Sequence, residues 1–141
     1  MKVSDIMTKD PSVCTPETAV QDAAREMCDQ NCGEIPVVDD LKTRKPVGVI
    51  TDRDITCRSV AMGKNPLELS VSDCMTTPAI TVTPDMDVEE CCLILAQEQI
   101  RRVPVVDENG RVCGIVSQAD IVRRVDSAEA GEVVREVSLS A

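Results

Sequence analysis

Two short segments of the chain combine residue types that could bind a ligand. In each, a glycine precedes a hydroxyl residue by three positions and an aspartate follows it by three. The two sets are Gly48, Thr51 and Asp54, and Gly114, Ser117 and Asp120. A Ser or Thr followed at this spacing by an acid is typical of a capping box, which is a purely structural start to a helix.

A second interpretation of the same spacing is a ligand site. Glu or Gln usually closes a capping box, and we expect the shorter Asp to reach back to the cap poorly. The glycine leaves the backbone open beside a helix N-terminus, where anions bind readily. The residues alone leave both interpretations open.

The two segments belong to an internal repeat of the sequence. Several stretches recur in the same order. The matches are residues 3–8 (VSDIMT) with 71–76 (VSDCMT), 36–39 with 104–107 (PVVD in both), and 48–51 (GVIT) with 114–117 (GIVS). We therefore predict a first copy at residues 1–61, a linker at 62–70, a second copy at 71–125 and a tail at 126–141. Val133, Val134 and Val137 of the tail could form one short docking helix.

Each copy has the pattern of a β-α-β-β-α unit. The predicted strands are residues 12–14, 35–38 and 47–50, and then 80–82, 103–106 and 112–116. We expect the first helix of each copy to begin at Thr-Pro-acid, with Thr15 or Thr83 as its cap. Apolar residues then follow at helical spacing, and a second helix begins near Asp52 or Gln118. Asn109-Gly110 predicts a hairpin turn.

The predicted fold class is α/β (α+β), with the two tandem units packed about a pseudo-twofold axis, since neither copy buries both faces of its sheet alone. Apolar residues make up 43% of the chain and aromatic residues 0%, so the core must be aliphatic. The net charge of −10 disfavours nucleic acid and anionic membranes as partners. No apolar stretch resembles a signal peptide or a membrane span, and we expect a cytoplasmic protein.

The repeated hexapeptide, the Pro-Val-Val-Asp strand and the Gly-x-x-Thr/Ser-x-x-Asp segment together resemble a pair of cystathionine-beta-synthase-type (CBS) domains. The resemblance covers residues 2–124, and the stretch from Val47 to Ile55 resembles small stand-alone bacterial and archaeal members. It implies a regulatory module in signal transduction that binds AMP, ADP, ATP or S-adenosylmethionine without catalysis. It also implies a homodimer.

In ligand-binding members, the matching Asp accepts hydrogen bonds from the ribose hydroxyls. Each site combines the Gly-x-x-Thr/Ser-x-x-Asp segment of one copy with strand residues of the other copy. The resemblance therefore implies two sites. Site A would contain Gly48, Thr51, Arg53, Asp54, Thr77, Pro78, Ala79, Ile80, Ile100, Arg101 and Arg102. Site B would contain Pro11, Ser12, Val13, Cys32, Gly33, Glu34, Ser117 and Asp120.

The two implied sites differ in charge. Arg101 and Arg102 in the second copy align with Gly33 and Glu34 in the first, and Arg53 aligns with an alanine. Arginines hold phosphate by bidentate hydrogen bonds, whereas a carboxylate repels it. We therefore expect the nucleotide in site A, and either no ligand or an uncharged or cationic adenosyl group in site B. A surface role for the arginine pair, with Glu98 as a partner, is the alternative.

The chain has eight cysteines and no histidine. Seven of them align with an aliphatic residue of the other copy, which favours a role as small core hydrophobes and argues against a metal site. They are Cys14, Cys28, Cys32, Cys74, Cys91, Cys92 and Cys113. Cys57 aligns with an arginine and is the candidate exposed thiol. A disulfide between Cys28 and Cys32 would make the protein a thiol redox or stress sensor.

The preferred hypothesis is thus an adenine-nucleotide sensor that signals to a regulated partner protein. Two other classes of function remain. One is a protein-interaction module with degenerate sites, and the other is the thiol sensor.

Overall fold

The computed structural model describes residues 1–124, and the predicted tail helix lies outside these residues. The helices are α1 (Val3–Ile6), α2 (Val20–Gln30), α3 (Asp52–Arg58), α4 (Val71–Cys74), α5 (Val88–Glu98) and α6 (Gln118–Arg124). The strands are β1 (Thr8–Lys9), β2 (Glu34–Val38), β3 (Pro46–Thr51), β4 (Arg102–Val106) and β5 (Val112–Ser117). The mixed helix and strand content confirms the predicted fold class.

These elements form two compact units that do not follow the boundaries of the repeat. The unit that contains Asp54 consists of Pro11–Ala79 and Gly110–Val112, and we call it the Asp54 unit. The unit that contains Asp120 consists, among the described residues, of Met1–Asp10, Ile80–Asn109 and 113–124, and we call it the Asp120 unit. The first copy therefore contributes its first ten residues to the Asp120 unit, and the second copy contributes residues 71–79 and 110–112 to the Asp54 unit. The predicted boundaries of the sequence motifs stay a prediction.

In the Asp54 unit, β2 and β3 pair antiparallel, with Glu34 opposite Thr51 and Ile35 opposite Ile50. One face of α2 is buried in a core with the strands, as the apolar spacing of the helix predicts. We call residues 71–79 the arm of this unit. Its α4 buries Val71 and Cys74, which are both 0% exposed, in the same core.

In the Asp120 unit, the strands lie in the order β1-β5-β4, and β1 pairs antiparallel with β5. Val3 and Ile6 of α1 are buried in a core with one face of α5. The turn that follows β4 and leads into β5 contains Gly110, which belongs to the Asp54 unit. Gly110 has a φ of +77°, a left-handed conformation that glycine adopts without strain. The predicted hairpin turn is thus confirmed.

The predicted start of the first helix in each copy is wrong. The helices begin at Val20 and Val88, while residues 15–18 form a turn in which the Thr18 N–H donates to the Thr15 carbonyl at 3.0 Å. The carbonyls of this segment are used by the arm instead of by a helix. Thr18 accepts from the Val71 N–H at 2.7 Å.

The Asp120 unit repeats this arrangement, because the Pro84 and Met86 carbonyls accept from Ser4 and Val3 at 2.8 and 2.9 Å. The predicted first strands are reduced to single parallel bridges, Cys14 with Val37 and Val82 with Val105. The other four predicted strands and the second helix of each copy are confirmed. Within residues 1–124, no helix has the length and apolar character needed to cross a membrane.

Candidate functional site

The start of α3 is a complete capping box. The Thr51 hydroxyl accepts from the Asp54 N–H at 3.0 Å, and the Asp54 Oδ2 accepts from the Thr51 N–H at 3.1 Å. The expectation that Asp is too short to reach back is therefore wrong. At the third position of the helix, a short carboxylate already lies within hydrogen-bond distance of the cap N–H.

The start of α6 has the same geometry. The Asp120 Oδ2 accepts from the Ser117 N–H at 2.9 Å, and the Ser117 hydroxyl accepts from the Asp120 N–H at 3.2 Å. Both aspartates are half-buried. The capping role thus accounts for the spacing of the hydroxyl residue and the aspartate in both copies. A ligand could bind only through the hydrogen-bond acceptor positions of each carboxylate that the cap does not use.

The Asp54 carboxylate has another partner, which the sequence analysis missed. The Thr76 hydroxyl donates to Asp54, at 3.2 Å from Oδ1 and 3.3 Å from Oδ2. Thr76 lies in the arm, just after α4. The only sequence signal for it was the Met-Thr that ends the repeated hexapeptide, beyond the part that forms a helix.

Gly48 allows the arm to approach β3 closely. Val49 and Thr76 form an antiparallel bridge, with N–H to carbonyl distances of 3.0 and 2.8 Å in the two directions. A Cβ on Gly48 would lie 2.5 Å from the Thr76 carbonyl oxygen, which is closer than any real Cβ contact. Packing against the arm therefore explains the need for glycine here, and contact with a ligand stays a prediction.

Arg58, at the last position of α3, also holds the arm. Its Nη1 donates to the Cys74 carbonyl at 2.9 Å and to the Met75 carbonyl. Arg58 lies four residues after Asp54, so both side chains are on one face of α3. Together they contact three consecutive residues of the arm.

The remaining residues of predicted site A divide between the two units. Arg53, Thr77, Pro78 and Ala79 lie in the Asp54 unit, and Arg53 is exposed. The Asp120 unit contains the other four, which are Ile80, Ile100, Arg101 and Arg102. Arg101 is exposed and Arg102 half-buried, and within residues 1–124 neither forms an ion pair with Glu98.

Predicted site B divides in the same way. Ser117 and Asp120 lie in the Asp120 unit, where Asp120 Oδ1 is 3.7 Å from the Nη1 of Arg123. The other predicted members lie in the Asp54 unit. Among these, Ser12 donates to Glu26 at 2.6 Å, and Glu34 is buried at the start of β2, where it is 8% exposed. The others are Pro11, Val13, Cys32 and Gly33.

Most of the cysteines are packed as the repeat predicts. Cys14, Cys74, Cys91 and Cys92 are buried, and burial raises the pKa of the Cys14 and Cys91 thiols from 9.0 to about 12. Thiols with such a pKa stay protonated and unreactive at neutral pH.

Four cysteines lie outside the buried set or at its edge. Cys32 and Cys113 are half-buried, and Cys57 is exposed, as predicted. Cys28 is exposed as well, so the prediction that it is a core residue is wrong. Cys28 directly follows the buried Met27, and one position is a rotation of about 100° around the helix, so its side chain points away from the buried face.

The comparisons with known proteins place these features in a family. The family model for the CBS domain matches residues 3–60 and 71–127. The chain is 36% identical over 137 residues to the CBS domain-containing protein YhcV of Bacillus subtilis, and the match covers 96% of this chain and 94% of that protein. It is 39% identical over 119 residues to the uncharacterized protein MK0525 of Methanopyrus kandleri, where the match covers 84% of this chain but 57% of that one.

Solved structures resemble the chain as well. The conserved CBS domain protein TA0289 of Thermoplasma acidophilum, of unknown function, has a TM-score of 0.84 at 29% identity, with 96% of this chain and 75% of that one covered. The CBS domain pair of protein MJ0100, solved with 5-methylthioadenosine and S-adenosyl-L-methionine, has a TM-score of 0.78 at 32% identity, with coverage of 87% and 98%. CBSX2, solved with AMP, has a TM-score of 0.77 at 27% identity, with coverage of 86% and 94%. The chain therefore belongs to the CBS domain family, with two CBS domains in tandem.

Proposed function

We propose that this chain is a regulatory module that binds an adenosine derivative, either an adenine nucleotide or S-adenosylmethionine, without altering it chemically. The proposal is supported by family membership, since two similar CBS pairs were solved with AMP or with adenosyl ligands. It is also supported by the sequence, which includes no His, the commonest general base, and shows no constellation of nucleophile, base and orienting group.

The observation that carries the proposal is the burial and hydrogen bonding of the Asp54 carboxylate. It is half-buried, and two protein donors fix it, the Thr51 N–H and the Thr76 hydroxyl. An ionised carboxylate offers about four acceptor positions, so capacity remains for further donors. The two neighbouring hydroxyls of a ribose are a matching pair of donors, and hydrogen bonds to a charged acceptor are the stronger kind.

Electrostatics favour Asp54 over Asp120 as the residue that binds a nucleotide. Arg53 precedes Asp54 and places a positive charge, which attracts phosphate, near this carboxylate, whereas the uncharged Ala119 precedes Asp120. Arg123 already lies 3.7 Å from Asp120, so this carboxylate has a competing cationic partner. The assignment of Arg101 and Arg102 to the phosphate stays a prediction of the repeat comparison.

Regulation would follow from preferential binding. A ligand that binds one conformation better than another shifts the population toward it, and a partner protein can read that shift. A homodimer and a cytoplasmic location belong to the same proposal and rest on the sequence analysis alone.

Isothermal titration of the purified protein with AMP, ADP, ATP and S-adenosylmethionine tests the proposal, with GMP as the control for the base. We expect saturable binding of at least one adenosine derivative, and a rise in the unfolding temperature with the same compound. If none of the four binds and none raises the unfolding temperature, the nucleotide hypothesis is wrong and the protein-interaction module replaces it. A Cys28–Cys32 disulfide detected by mass spectrometry after mild peroxide would favour the thiol sensor instead.

A further inference from the structure

Three consecutive residues of the arm are fastened to α3 and β3. The guanidinium of Arg58 holds the Cys74 and Met75 carbonyls, and the backbone of Thr76 bridges to Val49 in both directions. The backbone position of Thr76 is therefore determined by contacts that do not involve Asp54. From that position the Thr76 hydroxyl reaches the Asp54 carboxylate.

The contact with the carboxylate is a separate, additional feature. The Thr76 oxygen lies nearly equidistant from the two carboxylate oxygens, at 3.2 and 3.3 Å, so the hydroxyl faces both of them, whereas the capping bond uses Oδ2 alone. Rotation of the carboxylate about its terminal torsion is broad unless hydrogen bonds limit it. Thr51 fixes Oδ2, and Thr76 limits how Oδ1 can turn.

We propose that Thr76 is a positioning residue that orients the Asp54 carboxylate toward a ribose diol, and that it thereby sets the preference of the site for ribose over deoxyribose. This inference rests on the proposed function. Arg58 acts one step further away, because it holds the backbone that presents the Thr76 hydroxyl.

The Asp120 unit contains a natural control for this role. Thr8 occupies the equivalent place, since it pairs with Ile115 as Thr76 pairs with Val49. Within residues 1–124, however, the structure records no hydrogen bond between Thr8 and Asp120, and the Oδ1 of Asp120 faces Arg123 instead. A threonine that pairs with the strand in this way therefore does not necessarily contact the carboxylate.

The test compares binding of AMP and 2′-deoxy-AMP to the wild-type protein, Thr76→Val and Thr8→Val by isothermal titration. We expect Thr76→Val to lower the preference for AMP over 2′-deoxy-AMP by about tenfold, which is the effect of losing one hydrogen bond to a charged group. Thr8→Val should leave the preference unchanged. A loss of stability alone would weaken both ligands equally and would not change this ratio.

Each other outcome has a distinct meaning. If the wild-type protein binds AMP and Thr76→Val keeps the full ribose preference, the positioning role is wrong and the proposed function stands. If the wild-type protein binds neither compound nor the other adenosine derivatives, the proposed function fails and the inference fails with it. Should Thr76→Val not fold, Thr76→Ser decides the matter, because it keeps the hydroxyl. We expect it to retain the preference within about twofold, and its loss would contradict the inference.

Discussion

Asp54 and Asp120 occupy the same third position of their helices, but different side chains contact the two carboxylates. Both accept from the backbone N–H of the cap residue, at 3.1 and 2.9 Å. Asp54 also accepts a hydrogen bond from the neutral hydroxyl of Thr76, whereas Asp120 lies 3.7 Å from the cationic Arg123. Residue 57, which is the counterpart of Arg123 in the first copy, is a cysteine.

This difference separates two roles of one sequence pattern. The capping box is common to both copies, so it is a property of the fold and cannot distinguish a ligand site from a structural one. What distinguishes the two carboxylates is the side chain that faces each of them. We therefore expect changes to the shared features to act alike in the two units, and changes to the arm or to the carboxylate itself to act unequally.

The largest unequal effect on stability is expected at two equivalent glycines, Gly48 and Gly114. A Cβ on Gly48 would meet backbone, the Thr76 carbonyl oxygen, at 2.5 Å, whereas a Cβ on Gly114 would first meet the flexible Met7 side chain, at 2.6 Å from its Sδ. Backbone held by bridging hydrogen bonds cannot move aside, while a methionine can. We expect Gly48→Ala to lower the free energy of unfolding by about 2–3 kcal/mol and Gly114→Ala by about 1 kcal/mol.

Urea unfolding of both variants beside the wild-type protein measures these costs. If Gly114→Ala is the more damaging change, the arm of the Asp54 unit is held less rigidly than its backbone contacts indicate.

A smaller and equal effect is expected at the two caps. Thr51→Ala and Ser117→Ala each remove the hydroxyl that accepts from the aspartate N–H, so each should lower the free energy of unfolding by about 1 kcal/mol. The measurement is again urea unfolding. A cost at Ser117 near zero beside a normal cost at Thr51 would mean that the two helix starts are not energetically equivalent.

The sequence predicted most of the secondary structure for clear physical reasons. The four long strands are bounded by turns and glycines, and the second helix of each copy begins at a Thr or Ser cap. These signals are local. The buried cysteines were also predictable, because the aligned residue of the other copy is aliphatic at Cys14, Cys74 and Cys91.

The remaining features depend on contacts between segments that are far apart in sequence. Thr15-Pro16 looks like a helix start, but its carbonyls pair with the arm, so the helix begins at Val20. The role of Thr76 appears only when the arm docks beside Asp54, which lies 22 residues away. The reason for Gly48 is likewise the arm, since the obstacle to a side chain there is the Thr76 carbonyl.

The most direct test of the central claim, that Asp54 is the primary nucleotide-binding carboxylate, compares Asp54→Ala with Asp120→Ala. Both changes remove the same capping bond, so each variant controls for the structural cost in the other. With the best-bound adenosine derivative in isothermal titration, we expect Asp54→Ala to weaken binding by about tenfold or more and Asp120→Ala to leave it nearly unchanged. Equal losses in the two variants, or a larger loss in Asp120→Ala, would contradict the account.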